Sequence, residues 1–276
     1  YDPPESCLQL YKNVEIPTPV YSTEEIRGKP SFFRAFQKDR LDRCKLPYKW
    51  GKEEIERILN MRRYYLATVT AVDRQIKKIL HYLEETSNLD HTIIIFMSDH
   101  GDFLGDHGVI FKGAFLYDCM IHVPLIISGK LLKNRGIIIE EMVENIDIFS
   151  TILEFAGIPF SHKIYSKSLV PVMEGKKRGR EYVFSEVLGS KMVRSIQWKL
   201  IHHSHTGESE LYNLKEDPHE LENLFEKKEY SAEKEKLINV LLDFLYKTDG
   251  TPKQKYKKKK SADPLTGKET TYYPIQ

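Results

Sequence analysis

His91-Thr92-Ile93-Ile94-Ile95-Phe96-Met97 runs directly into Ser98-Asp99-His100-Gly101, and the reading of this stretch decides the fold. Its first part is continuously apolar and β-branched, which predicts a strand buried on both faces, as in a parallel sheet with helices packed on each side. Upstream, Ile55, Ile58, Leu59, Leu66, Val69, Ile76, Ile79 and Leu83 recur at helical spacing, so residues 52 to about 85 are expected to form the longest helix, broken at most once. Asn88-Leu89-Asp90 ends that pattern. Downstream, beyond a Gly-rich loop, His122-Val123-Pro124-Leu125-Ile126-Ile127-Ser128 reads as a second strand of the same kind. Helix, strand, loop, strand is the layer signature of an α/β protein. Residues 136–140 are expected to add a further strand. Residues 146–155 form an amphipathic helix stopped by Gly157 and Pro159.

On either side of this unit the pattern changes. Pro3, Pro4, Pro17, Pro19 and Pro30 interrupt residues 1–50, which are expected to run irregularly over a surface as a long loop or lid. From about residue 178 the apolar runs become short and closely spaced: Tyr182-Val183-Phe184, Met192-Val193-Arg194-Ser195, Lys199-Leu200-Ile201-His202 and Glu210-Leu211-Tyr212. These predict a small antiparallel sheet, with one helix over residues 231–246 covering a face. The expected organisation is therefore an α/β part at 1–177, a small α+β part at 178–250 and a basic tail at 251–276.

Composition narrows the function classes. With 41% hydrophobic and 30% charged residues in a chain of 276, a packed core is expected rather than disorder. A net charge of +2 provides no global field to recruit nucleic acid, and Lys253, Lys255 and Lys257 to Lys260 read as a solvated tail. No apolar run approaches the roughly 20 residues needed to span a bilayer. Cys7, Cys44 and Cys119 are too few and too widely spaced for a disulfide framework, and no Asn-x-Ser/Thr acceptor occurs. These features lean towards the cytoplasm, although a chain that begins with Tyr1 is expected to have lost its start, and any leader would lie upstream.

In open α/β sheets ligands sit beyond the carboxyl ends of the strands. The first strand delivers Asp99 and His100 to that position. A carboxylate and an imidazole there can contribute two ligands to a divalent cation; the alternative is a turn in which Asp99 caps backbone amides and His100 packs. The loop continues through Leu104-Gly105-Asp106-His107-Gly108 to Lys112-Gly113. Lys112 can set a cation against an anionic substrate oxygen and assist a leaving group, or be a surface lysine.

These residues carry a resemblance. Ser98-Asp99-His100-Gly101 with Leu104-Gly105-Asp106-His107-Gly108 and Lys112-Gly113 resembles the second metal-ligand motif of the sulfatases of the alkaline phosphatase superfamily. In the same order along the chain, Tyr1-Asp2-Pro3-Pro4, the helix before the motif strand, Val123-Pro124-Leu125-Ile126, residues 147–153 with Ala156-Gly157-Ile158-Pro159, and Glu210-Leu211-Tyr212-Asn213-Leu214 with Asp217-Pro218 resemble that family too. The resemblance implies an alkaline-phosphatase-like mixed sheet between helices, incomplete here, with a small C-terminal antiparallel sheet and one helix. It implies calcium or another divalent cation on Asp99 and His100, and a sulfate contact and catalytic assistance from Lys112. His107 is named with Lys112 as a catalytic candidate, and the resemblance leaves it two roles, substrate contact or holding the loop. The implied substrate is a sulfated small molecule or saccharide.

Sulfatases use a formylglycine made from the Cys or Ser of a Cys/Ser-x-Pro-x-Arg motif. Cys44-Lys45-Leu46-Pro47 lacks its spacing and its arginine, and neither Cys7 nor Cys119 has the following proline. That residue, and the aspartates that complete the family's metal site, are expected upstream. The chain alone is accordingly expected to be inactive and to associate with itself or with the missing segment through an open sheet edge. Two rival readings are a phosphonate monoester or phosphodiester hydrolase of the same superfamily, and a non-catalytic binding protein on this scaffold.

Overall fold

A computed structural model describes residues 1–159, 165–248, 259–262 and 269–272, the last two as backbone strands only. In chain order the helices are α1 (Glu5–Leu8), α2 (Ser31–Cys44), α3 (Lys52–Glu85), α4 (Asp118–Ile121), α5 (Asp147–Phe155), α6 (Val170–Met173) and α7 (Ser231–Thr248). The strands are β1 (Ile94–Met97), β2 (Leu125–Ser128), β3 (Val183–Val187), β4 (Ser190–Arg194), β5 (Trp198–His203), β6 (Ser209–Asn213), β7 (Lys259–Ala262) and β8 (Glu269–Tyr272). Tyr1–Leu241 form one compact unit and Leu242–Gln276 another. In the second unit β7 and β8 pair antiparallel; Lys253, Lys255, Lys257 and Lys258 of the basic run lie outside the described residues.

α3 runs unbroken for 34 residues. It starts at Gly51, whose N–H donates to the Glu54 carboxylate at 2.7 Å, and two acidic residues in its first turn complement the helix dipole. β3 to β6 form an antiparallel sheet in sequential order, with Met192 opposite Ile201 and Leu200 opposite Leu211. Leu237 and Leu241 of α7 are buried, as its apolar spacing predicts.

Three expectations need correction. β1 and β2 pair antiparallel rather than parallel, with Ile95 opposite Ile127. They are also only half-covered: Phe96, Met97 and Ile126 are exposed, because among the described residues each strand has a single neighbour. An apolar run shows what a strand is suited to bury, not which segment covers it. Residues 136–140 carry no strand. Finally, residues 1–50 are not wholly irregular, since α2 occupies 14 of them. Pro30 stands just ahead of its first turn, where a missing N–H costs nothing, and Phe33, Gln37 and Leu41 give it a buried face.

The main core joins segments far apart in the chain. Phe33 from α2, Phe103, Phe115, Tyr117 and Met120 from the segment after β1, and Met192, Ile201 and Tyr212 from the four-stranded sheet pack together. A second cluster holds Leu41, Leu46, Trp50, Ile58 and Ile110. The loop between β1 and α4 is thus clamped on two sides, which positions the candidate site.

Candidate functional site

β1 ends at Met97, and the chain turns at Gly101, whose N–H donates to the Met120 carbonyl at 2.7 Å. A Cβ on Gly101 would lie 2.0 Å from the Cys119 carbonyl oxygen, so only glycine admits this close backbone approach. Asp99 and His100 therefore project from a fixed turn. The Asp99 side chain is 86% exposed; Oδ1 accepts the His100 amide at 2.9 Å, while Oδ2 lies 3.7 Å from His100 Nε2. Its carboxyl is held below the usual carboxylate range, first by that amide, then by the neighbouring imidazole, with a smaller share from Lys112.

His100 Nδ1 meets the Gly101 carbonyl at 2.7 Å. That contact requires a hydrogen on Nδ1, which in a neutral ring leaves the Nε2 lone pair directed outward. Lys112 Nζ stands 3.3 Å from Nε2. Asp99, His100 and Lys112, expected to act together, are brought together although Lys112 lies 12 positions beyond His100 in the chain. The amide contact of the capping alternative for Asp99 is present, through Oδ1 alone. A carboxylate oxygen and an oriented imidazole nitrogen suit two positions of a divalent cation's shell. Among the described residues no further His, Cys, Asp or Glu joins them, so the pair fits part of a ligand set rather than a whole one.

His107 is placed elsewhere. It is 3% exposed, with Nδ1 on Glu25 Oε2 at 2.8 Å and its ring 4.7 Å from that of Tyr117. Its own backbone takes φ +55°, its N–H donates to the Val20 carbonyl at 2.8 Å, and its carbonyl accepts from Gln37 at 2.9 Å. The ring is thus packed beneath the loop, and its backbone ties the loop to the N-terminal segment and to α2.

Several supporting residues escaped sequence reasoning. Arg62 on α3 donates to the Leu104 carbonyl at 2.8 Å, to the Pro17 carbonyl at 2.8 Å and to Asp106 at 2.7 Å, tying the N-terminal segment to the loop. Asp106 also accepts the Val20 amide at 2.7 Å. The Tyr1 hydroxyl donates to Asp102 at 2.7 Å, and burial, aided by that carboxylate, pushes the phenol well above its ordinary range. Lys199 on β5, wholly buried, reaches the Leu116 carbonyl at 3.2 Å. The spacing Phe33, Gln37, Leu41 could have revealed α2; nothing in the sequence links Glu25 to His107, 82 positions away.

The family models and the similar curated proteins point the same way. The chain matches the family model described as sulfatase over residues 3–158, and that described as N-sulphoglucosamine sulphohydrolase, C-terminal, over residues 105–247. It is 36% identical over 193 residues to an N-acetylglucosamine-6-O-sulfatase of Bacteroides thetaiotaomicron, covering 65% of this chain and 34% of that protein. To an arylsulfatase of Clostridium perfringens it is 30% identical over 257 residues, covering 87% and 50% respectively. Thus the chain spans about a third to a half of these curated relatives. A solved structure in complex with its substrate D-glucosamine-2-N,6-O-disulfate superposes with a TM-score of 0.67 at 33% identity, over 75% of this chain and 45% of that one. A phosphonate monoester hydrolase from Silicibacter pomeroyi gives a TM-score of 0.79 at 22% identity over 99% and 57%, a likeness of fold. The mixed α/β architecture is shared with these neighbours.

Proposed function

Because this chain belongs to the sulfatase family, we propose that it forms one wall of a site that hydrolyses the sulfate ester or sulfamate of a small saccharide. The observation that carries this reading is the convergence of Asp99, His100 and Lys112 on the turn after β1. Asp99 Oδ2 and His100 Nε2 would hold calcium or another divalent cation, which would supply charge neutralisation at the sulfate oxygens. Lys112 is exposed and 12 positions from His100, able to swing from the imidazole onto a sulfate oxygen and to steady charge developing on the bridging oxygen. Gly101 and the clamped loop keep these groups in register. His107 holds the loop from inside rather than touching substrate.

The formylglycine nucleophile and the remaining metal ligands belong, in this proposal, to a segment outside these 276 residues. Support for a saccharide comes from the N-acetylglucosamine-6-O-sulfatase relative and from the structural neighbour bound to a disulfated glucosamine. The test uses the chain joined to a sulfatase segment bearing a Cys/Ser-x-Pro-x-Arg motif, with turnover of a 6-sulfated glucosamine and metal content measured side by side. Asp99→Ala should lose metal and turnover together. Lys112→Ala should lose turnover while keeping metal. Full metal content and full turnover in Asp99→Ala would sink the assignment.

A further inference from the structure

Beside the Asp99, His100 and Lys112 group stands a cluster of rings that the roles above do not use. Phe111 immediately precedes Lys112, remains 40% exposed, and holds φ +63°, a conformation bulky L residues rarely adopt. Tyr1 lies with its ring centroid 6.1 Å from Phe111 and 5.2 Å from Tyr65 on α3. Through its hydroxyl on Asp102 it is anchored two residues past His100. The rings therefore border the site from both ends of its loop.

Phe111 is not turned outward for want of a core. Phe103, Phe115 and Tyr117 of the same segment are buried, and Ile110, its neighbour, is buried in the second cluster. The backbone on either side of it is pinned independently: before it, Arg62 holds Asp106 while Glu25 and Gln37 hold His107, and after it Gly113 lies so close to Phe36 and Phe115 that a Cβ would be 2.8 Å from each. A strained residue that the surroundings over-determine, presenting an aromatic ring at the surface beside an anion-binding group, points to a ligand contact.

We infer that Phe111, backed by Tyr1 and Tyr65, is the platform on which the carbon ring of a sulfated saccharide rests while its sulfate meets Lys112. This makes Phe111 a specificity-determining residue, and the inference rests on the reading of Lys112 as a sulfate contact. A pyranose turns a face of C–H groups outward, whose positive edge complements the negative face of an aromatic ring, while its hydroxyls stay hydrated at the rim. An aryl sulfate could use the same ring by stacking. The saccharide is favoured because the relatives that resemble this chain at 36% and 33% identity are described with N-acetylglucosamine and glucosamine substrates.

The experiment titrates the purified 276-residue chain by ligand-observed NMR with D-glucosamine 6-sulfate, 4-nitrophenyl sulfate and inorganic sulfate. Phe111→Leu should weaken the sugar sulfate about three- to tenfold, the range set by loss of one aromatic contact, and leave inorganic sulfate unchanged. Phe111→Tyr, which keeps the ring, should bind as the parent does. Tyr65→Leu, remote from the strained turn, is a second variant with the same expected selective loss should Phe111→Leu fold poorly. Unchanged sugar affinity in both leucine variants, or a loss confined to 4-nitrophenyl sulfate, overturns the platform. If Lys112→Ala binds all three ligands as the parent does, the sulfate reading fails instead, and a parent chain that binds none of them overturns both.

Discussion

Replacing Lys199 with methionine should reveal how firmly the four-stranded sheet grips the candidate site. The ammonium, wholly buried, donates to the Leu116 carbonyl at 3.2 Å, to Glu220 Oε1 at 2.6 Å and to Asp118. Methionine keeps the length of the stem but leaves the buried Glu220 carboxylate without its ammonium. Breaking a buried pair from one side costs about 3–5 kcal/mol. Two features favour the lower end: Asp118 retains Arg194 at 3.1 Å, and Glu220 still accepts the Asp118 amide at 2.6 Å. With about 2–4 °C per kcal/mol for a chain of this size, a loss of about 3 kcal/mol lowers the melting temperature by about 6–12 °C. Circular dichroism melts at neutral pH measure it. Lys199→Met combined with Glu220→Gln should recover at least half of the loss, since the second change removes the stranded charge. A shift below about 2 °C, or no recovery in the double variant, would refute the reasoning, the first by its smallness against the size scaling.

Other consequences are open to direct measurement. Burial opposes ionisation of Glu210, but the hydrogen bond from His203 and the charge of Lys29 outweigh it and hold its carboxyl below the usual range. Its stabilising contribution is therefore complete above the unfolded value of about 4.3 and disappears as pH falls through the lower folded value. Melts taken between neutral pH and acid should fall less steeply in Glu210→Gln than in the parent, and parallel curves would contradict this. His107→Ala should cost about 1–3 kcal/mol by removing the imidazole from the buried Glu25 Oε2, which keeps only Lys29 at 3.7 Å, visible as a lowered melt even in the absence of any substrate; a parent-like melt would contradict this. At high concentration the chain by itself should associate through the exposed Phe96, Met97 and Ile126 region, and a monodisperse monomer by light scattering would count against it.

Local chemistry made much of this protein legible before any coordinates. Periodicity alone located α3, α5 and α7, because a 3.6-residue apolar repeat and its caps are written within a few turns of chain. The short runs after residue 178 located the antiparallel sheet for the same reason. That Asp99, His100 and Lys112 stand together was legible because their spacing is confined to one loop, and a turn that only Gly101 permits carries the Asp99 and His100 side chains outward. Pairing direction was not legible: the apolar runs of β1 and β2 are compatible with either sense, and only the tertiary arrangement makes Ile95 face Ile127 antiparallel. α2 carries a four-residue spacing, Phe33, Gln37 and Leu41, inside a segment dominated by prolines on either side, and that spacing becomes decisive only when Phe33 and Leu41 find partners in two different clusters. The fate of His107 shows the limit most directly. A histidine in a polar, glycine-rich loop has the same sequence surroundings whether it faces substrate or core, and the choice was made by Glu25, Gln37 and Tyr117 arriving from elsewhere in the chain. Buried polar groups must find partners wherever the fold supplies them, and such long-range pairings leave no periodic trace in sequence.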